Sequence, residues 1–311
     1  MAHSHALAGH SHGAHAGALD ARRARNRRRM KGAISLNGLM LAAGVAGGIL
    51  FRSLALLADA GHVLSDIGAL ALGLLAARLA ARPATGRRTF GSRRTEVMAA
   101  LVNGLALAVV AVLVFVGAAT RLSDPPDVRA TGVLLVGVLG LVGNALAGLV
   151  LIGGDREDLN LEAVLRHSVA DALGSLGVIV SAAVVLSTGW RYADPLVGLL
   201  IGLLILAGSW RLVRVPLDVL MEAAPEGVDV GEVGRAMAAV PGVREVHDLH
   251  VWTVTSGFPA LAAHVRVDPS RGVDGVRRAI EAVLVERFAI EHTTLQAVAE
   301  PLLELEDRRG S

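Results

Sequence analysis

Residues 53–70 read SLALLADAGHVLSDIGAL, an apolar run that nevertheless holds Asp59, His62 and Asp66. An ionisable side chain at the centre of a bilayer costs roughly 2.5–3.5 kcal/mol on insertion-based scales, so three of them close together need a compensating partner. A bound metal ion would be such a partner. The rest of the chain supports the bilayer: its 311 residues are 53% hydrophobic and only 3% aromatic, and the mean hydropathy is +0.55. That is far more apolar than an ordinary globular domain and reads as a membrane protein.

There is no cysteine, which excludes a disulfide framework and a thiolate metal site. Metal chemistry then falls to His, Asp and Glu. The net charge of +2 comes with arginine clusters that flank apolar runs, at Arg22 to Lys31 and at Arg87 to Arg94. Such flanking suits a membrane topology signal rather than a nucleic-acid surface, so lipid is expected as a partner and nucleic acid is not. The first thirty residues are polar and His-rich, lack the apolar stretch of a cleavable leader, and are expected to stay in the mature chain.

A sliding window of about 19 residues finds six apolar segments long enough to span a bilayer, near 32–50, 55–80, 96–121, 129–152, 163–187 and 193–213. Arginine is dense before the first and between the second and third. Both termini are therefore expected in the cytoplasm of a multi-pass protein of the cell (inner) membrane. From about Val215 the apolar runs shorten and charge returns. Helical spacing at 230–240, alternation at 244–257 and 259–268, helical spacing at 273–288 and alternation at 290–298 give the order αββαβ. The expected division is a tail over 1–30, a six-helix transport domain over 31–214 and a small α+β domain over 215–311.

The fifth apolar segment contains VLRHSVADALGS (164–175), where His167 and Asp171 repeat the spacing of His62 and Asp66. Four residues apart on a helix, each pair shares one face, one turn apart. Two such pairs brought together make a four-ligand N₂O₂ cage, the coordination number that zinc prefers. A single pair could equally glue helices together by hydrogen bonding; two copies at one spacing favour a site. Asp59 lies three residues before His62 with no counterpart in the fifth segment, and a supporting or access role fits it better than ligation.

The strings SLALLADAGHVLSD, RRTFGSRRTEVMAALVNG, HSVADALGSLGV, Asp194–Pro195 and PGVREVHDLHVWTVTSG together resemble the cation diffusion facilitator family, in its zinc-transporting branch, over nearly all of the chain from Lys31 to Pro301. The resemblance implies a homodimeric six-span exporter that exchanges cytoplasmic divalent metal for protons, with a ferredoxin-like cytoplasmic domain. It places the transported Zn²⁺ on His62, Asp66, His167 and Asp171. It also makes His247 and His264 the best-matched positions for a regulatory ion in the cytoplasmic domain, with surface hydrogen bonding as the other reading of both; His250 and His292 fit less well. Some relatives carry loop histidines after the second span, where this chain has Arg93, and no loop metal site is expected. Trp252 and Phe258 read as core or dimer-contact residues. The N-terminal His3, His5, His10, His12 and His15 could gather metal weakly.

Ligand chemistry supplies a mechanism. Imidazole must be neutral and carboxylate ionised to hold a metal, so protons and metal compete for the same atoms. Cadmium, cobalt or manganese as main cargo remains open, since an N₂O₂ set alone does not rank them. A membrane metalloenzyme would need an open metal position with a base such as the Glu of H-E-x-x-H, and that string is absent; a metal sensor would leave the intramembrane pairs unexplained. No enzyme is expected.

Overall fold

The computed structural model describes residues 35, 37–152 and 159–299; of 147, 148, 150–152 and 159–168 it describes the backbone alone. The N-terminal histidines and the arginine cluster at Arg22 to Lys31 lie outside the described residues. Among the described residues six apolar helices come first: α1 (Asn37–Leu50), then α2 (Leu54–Ala80), α3 (Thr95–Ser123), α4 (Ala130–Ile152), α5 (Leu159–Thr188) and α6 (Ala193–Leu220). Among the described residues α2, α3, α5 over Val169–Thr188, and α6 are long and apolar enough to cross a membrane, and the apolar stretches Asn37–Leu50 and Ala130–Leu146 are shorter. The remaining elements are α7 (Val230–Ala238), β1 (Val243–Thr255), β2 (Phe258–Val267), α8 (Val273–Phe288) and β3 (His292–Val298), in the order αββαβ. The chain divides into two compact units, 1–68 with 106–209 and 69–105 with 210–311.

The first unit is a helical bundle whose core is made of small and branched residues: Ala55, Leu56 and Ala58 of α2, Ala111 and Val114 of α3, Val133 of α4, Val178 and Ala182 of α5, Ile201 and Ile205 of α6. Alanine on facing helices lets backbones approach, which is how helices associate where lipid removes the hydrophobic drive between them. Large apolar side chains such as Leu64, Leu113, Leu135, Val180 and Leu204 point outward and are more than half or about half exposed, as a lipid-facing surface requires.

The start of α2 is tied down on several sides. Ser53 caps it, its Oγ accepting from the Leu56 amide at 3.1 Å. That hydroxyl donates to Asp194 Oδ1 at 2.5 Å, and the Leu54 amide donates to Asp194 Oδ2 at 2.6 Å. Asp194 is fully buried in the first turn of α6, with Arg121 Nη1 3.6 Å from its Oδ2. Arg121 also donates to the carbonyl of Arg52 at 2.8 Å, the residue whose positive φ of 57° turns the chain between α1 and α2. The helix that carries His62 and Asp66 is thus fixed at its start by α3 and α6.

In the second unit β1 and β2 pair antiparallel, and β3 joins β2 in parallel after the crossover through α8. The sheet order is β1-β2-β3. On β2, Leu261, Ala263, Val265 and Val267 are buried while Ala262, His264 and Arg266 are less so, the period-two pattern of a sheet covered on one face. The cover is α7 and α8: Val233 and Met237 of the first, Val276, Ile280 and Leu284 of the second, share one core with that row. Asp229 caps α7 by accepting from the Gly231 amide at 2.7 Å, and α8 ends on Ala289 in the left-handed conformation, φ 54°. The 81–94 loop belongs to this unit. Its Phe90 ring meets the rings of Phe258 (6.4 Å) and His292 (5.5 Å), and the Arg93 guanidinium lies 4.8 Å over Phe258. Phe258 therefore packs against this loop.

Candidate metal centre

On α2, His62 and Asp66 are one turn apart, and α5 brings Asp171 to them. His62 Nε2 is 3.6 Å from Asp66 Oδ2 and 3.5 Å from Asp171 Oδ1. One nitrogen and two carboxylate oxygens from the three residues all lie within 4.8 Å of one another. A tetrahedral ion with bonds of about 2.1 Å separates its ligand atoms by about 3.4 Å, close to both His–Asp distances. His167 stands one turn before Asp171 on the α5 backbone; its side chain lies outside the described residues. Among the described residues this is the one group of three His, Asp or Glu side chains with metal-holding geometry.

The side chains of His62 and Asp66 are about 29% and 28% exposed, whereas Asp171 is almost buried at 11%. The site is therefore open from the α2 side and closed around Asp171. Asp59, one turn before His62, faces α5 as well: a Cβ added to Gly174 would sit 2.6 Å from Asp59 Oδ1. The absence of a side chain at 174 is what leaves room for this carboxylate. Beside it Ser175 and Asn144 are buried, with Asn144 Nδ2 3.5 Å from Ser175 Oγ. Asn144 escaped the sequence reading, because a lone amide in the apolar run of α4 has neither the charge nor the repeated spacing that exposed the His–Asp pairs.

In the second unit the two cytoplasmic-domain candidates meet. His247 and His264 are direct partners across β1 and β2, their rings edge to face at 5.3 Å. Between His247 and His250 the register shifts, and Asp248 takes a positive φ of 51°. This bulge swings its carboxylate to 2.9 Å from His250 Nε2 and 3.7 Å from His264 Nδ1. Asp248 is a member of the cluster that alternation alone hides, because the bulge breaks the alternation. His292 packs by its ring against Phe90 and Phe258.

Residues 30–221 match the family described as the cation efflux transmembrane domain, and residues 225–298 match the cytoplasmic domain of cation efflux proteins. The chain is similar to the metal cation efflux system protein CzcD of Cupriavidus metallidurans, 40% identical over 290 residues, covering 93% of this chain and 89% of that one. It is similar to the cadmium, cobalt and zinc/H⁺–K⁺ antiporter of Bacillus subtilis, 38% identical, covering 86% and 87%, and to the zinc transporter ZitB of Escherichia coli, 39% identical, covering 89% and 88%. Among solved structures it is similar to the metal-bound C-terminal domain of the CzcD transporter of C. metallidurans, 38% identical with a TM-score of 0.22, covering 23% of this chain and 99% of that one.

Proposed function

The chain belongs to the cation efflux family and exports a divalent metal cation, and from that premise we propose that its cargo is Zn²⁺, held inside the membrane by His62, Asp66, His167 and Asp171 and exchanged for protons. The observation that carries the reading is the meeting of His62, Asp66 and Asp171 from two helices with ligand atoms within 4.8 Å. Two carboxylates balance the ion's double charge and two neutral imidazoles complete the set, so the loaded site is neutral where a net charge would be costly. A proton at the metal-binding nitrogen of His62 removes its lone pair and adds a positive charge, and both changes expel the cation. Metal and protons thus compete for the same atoms, and a higher proton concentration outside than in the cytoplasm favours release there.

The same reading extends to the finer architecture. Six spans in a transport domain over 31–214 put both termini on one side, which the arginine-rich flanks assign to the cytoplasm, and the αββαβ domain over 215–311 is a ferredoxin-like unit through which two copies pair in the cell (inner) membrane. Its His247 and His264 take a regulatory ion with Asp248 beside them. Asp59 supports the site from one turn away. The name of the B. subtilis relative favours a broader cargo that includes cadmium and cobalt, and competitive flux ranks these against zinc. Metal flux into sealed vesicles carrying the full chain tests the export reading: accumulation inside is expected, and binding to the protein without accumulation overturns it.

A further inference from the structure

The second unit holds a cavity of about 1010 Å³ in which the 81–94 loop meets the sheet. Its chemistry is one-sided. Arg87, Arg88, Arg93 and Arg94 all line it, against a single lining carboxylate, Glu222, which is 3.3 Å from Arg94. Arg93 is stacked over Phe258 and Arg88 donates to Ser92 Oγ at 3.1 Å, so three of the four guanidinium groups are held by the fold. None of this serves the metal: a cation is repelled here, and an oxyanion is attracted. The loop directly joins the end of α2 to the start of α3, two helices long and apolar enough to cross a membrane, which sets the arginines at headgroup level. The cavity also reaches Met98, and Met98, Val102 and Leu105 are 56%, 51% and 49% exposed. At i, i+4 and i+7 they form one apolar stripe that rises along α3 from the cavity.

A basic cradle continuous with an apolar stripe matches a molecule with an anionic head and an acyl tail. We infer that this cavity binds the phosphate headgroup of an anionic phospholipid of the cytoplasmic leaflet, with its acyl chains lying along Met98, Val102 and Leu105 of α3. Arginine suits the task because its planar fork pairs with two phosphate oxygens at once, and the cytoplasmic surface is where anionic lipids concentrate. A free phosphate would satisfy the arginines and leave the stripe unused. The inference is independent of which metal is carried.

Native mass spectrometry of the full chain in detergent tests it, with dioleoylphosphatidylglycerol, dioleoylphosphatidylcholine and inorganic phosphate as probes. The glycerol lipid is expected to bind about tenfold more tightly than the choline lipid. An Arg87→Gln, Arg88→Gln chain loses about that factor, since each basic group near the surface supplies part of it, and an Arg87→Lys, Arg88→Lys chain, which keeps the charge, retains most of it. Arg211→Gln with Arg214→Gln, which removes the same charge from exposed positions of α6, leaves the preference intact. Equal binding of the two lipids overturns the inference. So does an equal loss in both Gln pairs, which means diffuse attraction, or full displacement of the lipid by inorganic phosphate, which means a free-phosphate site.

Discussion

His62 on α2 approaches Asp171 on α5 with Nε2 3.5 Å from Oδ1, and this contact brings together residues of the two His-x-x-x-Asp pairs proposed to hold the transported ion. Each His-x-x-x-Asp pair offers one imidazole and one carboxylate, so neither helix alone can complete a four-ligand shell. In the proposed site, sliding or tilting of α2 against α5 would separate the two pairs and couple helix movement to release of the ion.

Unequal effects are expected from replacing the residues of the proposed site. Asp171→Ala deletes its almost buried carboxylate, so uptake of every divalent metal falls to background. His62→Asp exchanges a borderline-soft nitrogen for a hard oxygen and makes the empty site more negative. Transport persists, with weaker discrimination between zinc and cadmium or manganese. Competitive flux in vesicles measures both; an unchanged metal ranking in His62→Asp contradicts the assignment of that side chain.

Ser53 and Asp194 fix the start of α2, and their removal shows as lost stability. Ser53→Ala removes a helix cap and is expected to cost about 1 kcal/mol. Asp194→Ala strips the partner from the Ser53 hydroxyl, the Leu54 amide and Arg121 together, for about 2–3 kcal/mol. Thermal unfolding in detergent ranks them. An Asp194→Ala chain as stable as the parent would refute the clamp.

Gly174 and Asp59 form a testable steric pair. A methyl at 174 would approach Asp59 Oδ1 to 2.6 Å, so Gly174→Ala displaces the carboxylate and destabilises the bundle by about 1–3 kcal/mol. Asp59→Ala removes the obstacle. The double variant is therefore expected to be more stable than the sum of the single effects allows, in a double-mutant cycle read by thermal unfolding. Simple additivity argues against the contact.

Acid sensitivity of the second unit should involve Asp268. The Ser270 hydroxyl and amide, and then Arg244, hold its carboxyl down to about 2 from an ordinary 3.8. A depressed value means the ionised form is favoured by folding, so this stabilisation is fully present above about pH 4 and is lost as the pH falls toward 2. Asp268→Asn lacks it at every pH. Emission from Trp252, in a chain with Trp190 and Trp210 replaced by Phe, should show a stability gap between parent and variant at pH 5 that closes by pH 2. A gap that widens on acidification has the wrong sign.

The sequence made some of this legible and hid the rest for physical reasons. Periodicity alone outlines α8 over 273–288 and the two strands around Gly257, because a covered sheet face and a half-buried helix write their period into local sequence. The repeated His–Asp spacing identifies three of the residues that meet in the bundle, since intramembrane charge is rare enough to stand out. Asp248 was hidden by its bulge, and Asn144 by being a single amide without a repeat. The packing of Phe90 and Arg93 on Phe258 could not be read locally, because it pairs a loop with a strand far along the chain. Asp194 was visible as part of a motif, but its capping of α2 depends on the register between helices.

The most direct test of metal–proton exchange is simultaneous recording of zinc and pH inside sealed vesicles reconstituted with the full chain, acidic inside and near neutral outside. Zinc is expected to accumulate uphill as protons leave. Collapse of the pH gradient by an ionophore should stop net accumulation, and Asp171→Ala should abolish both fluxes together. Uphill zinc accumulation that continues after the gradient is gone, or coupled fluxes that survive Asp171→Ala, would contradict the account.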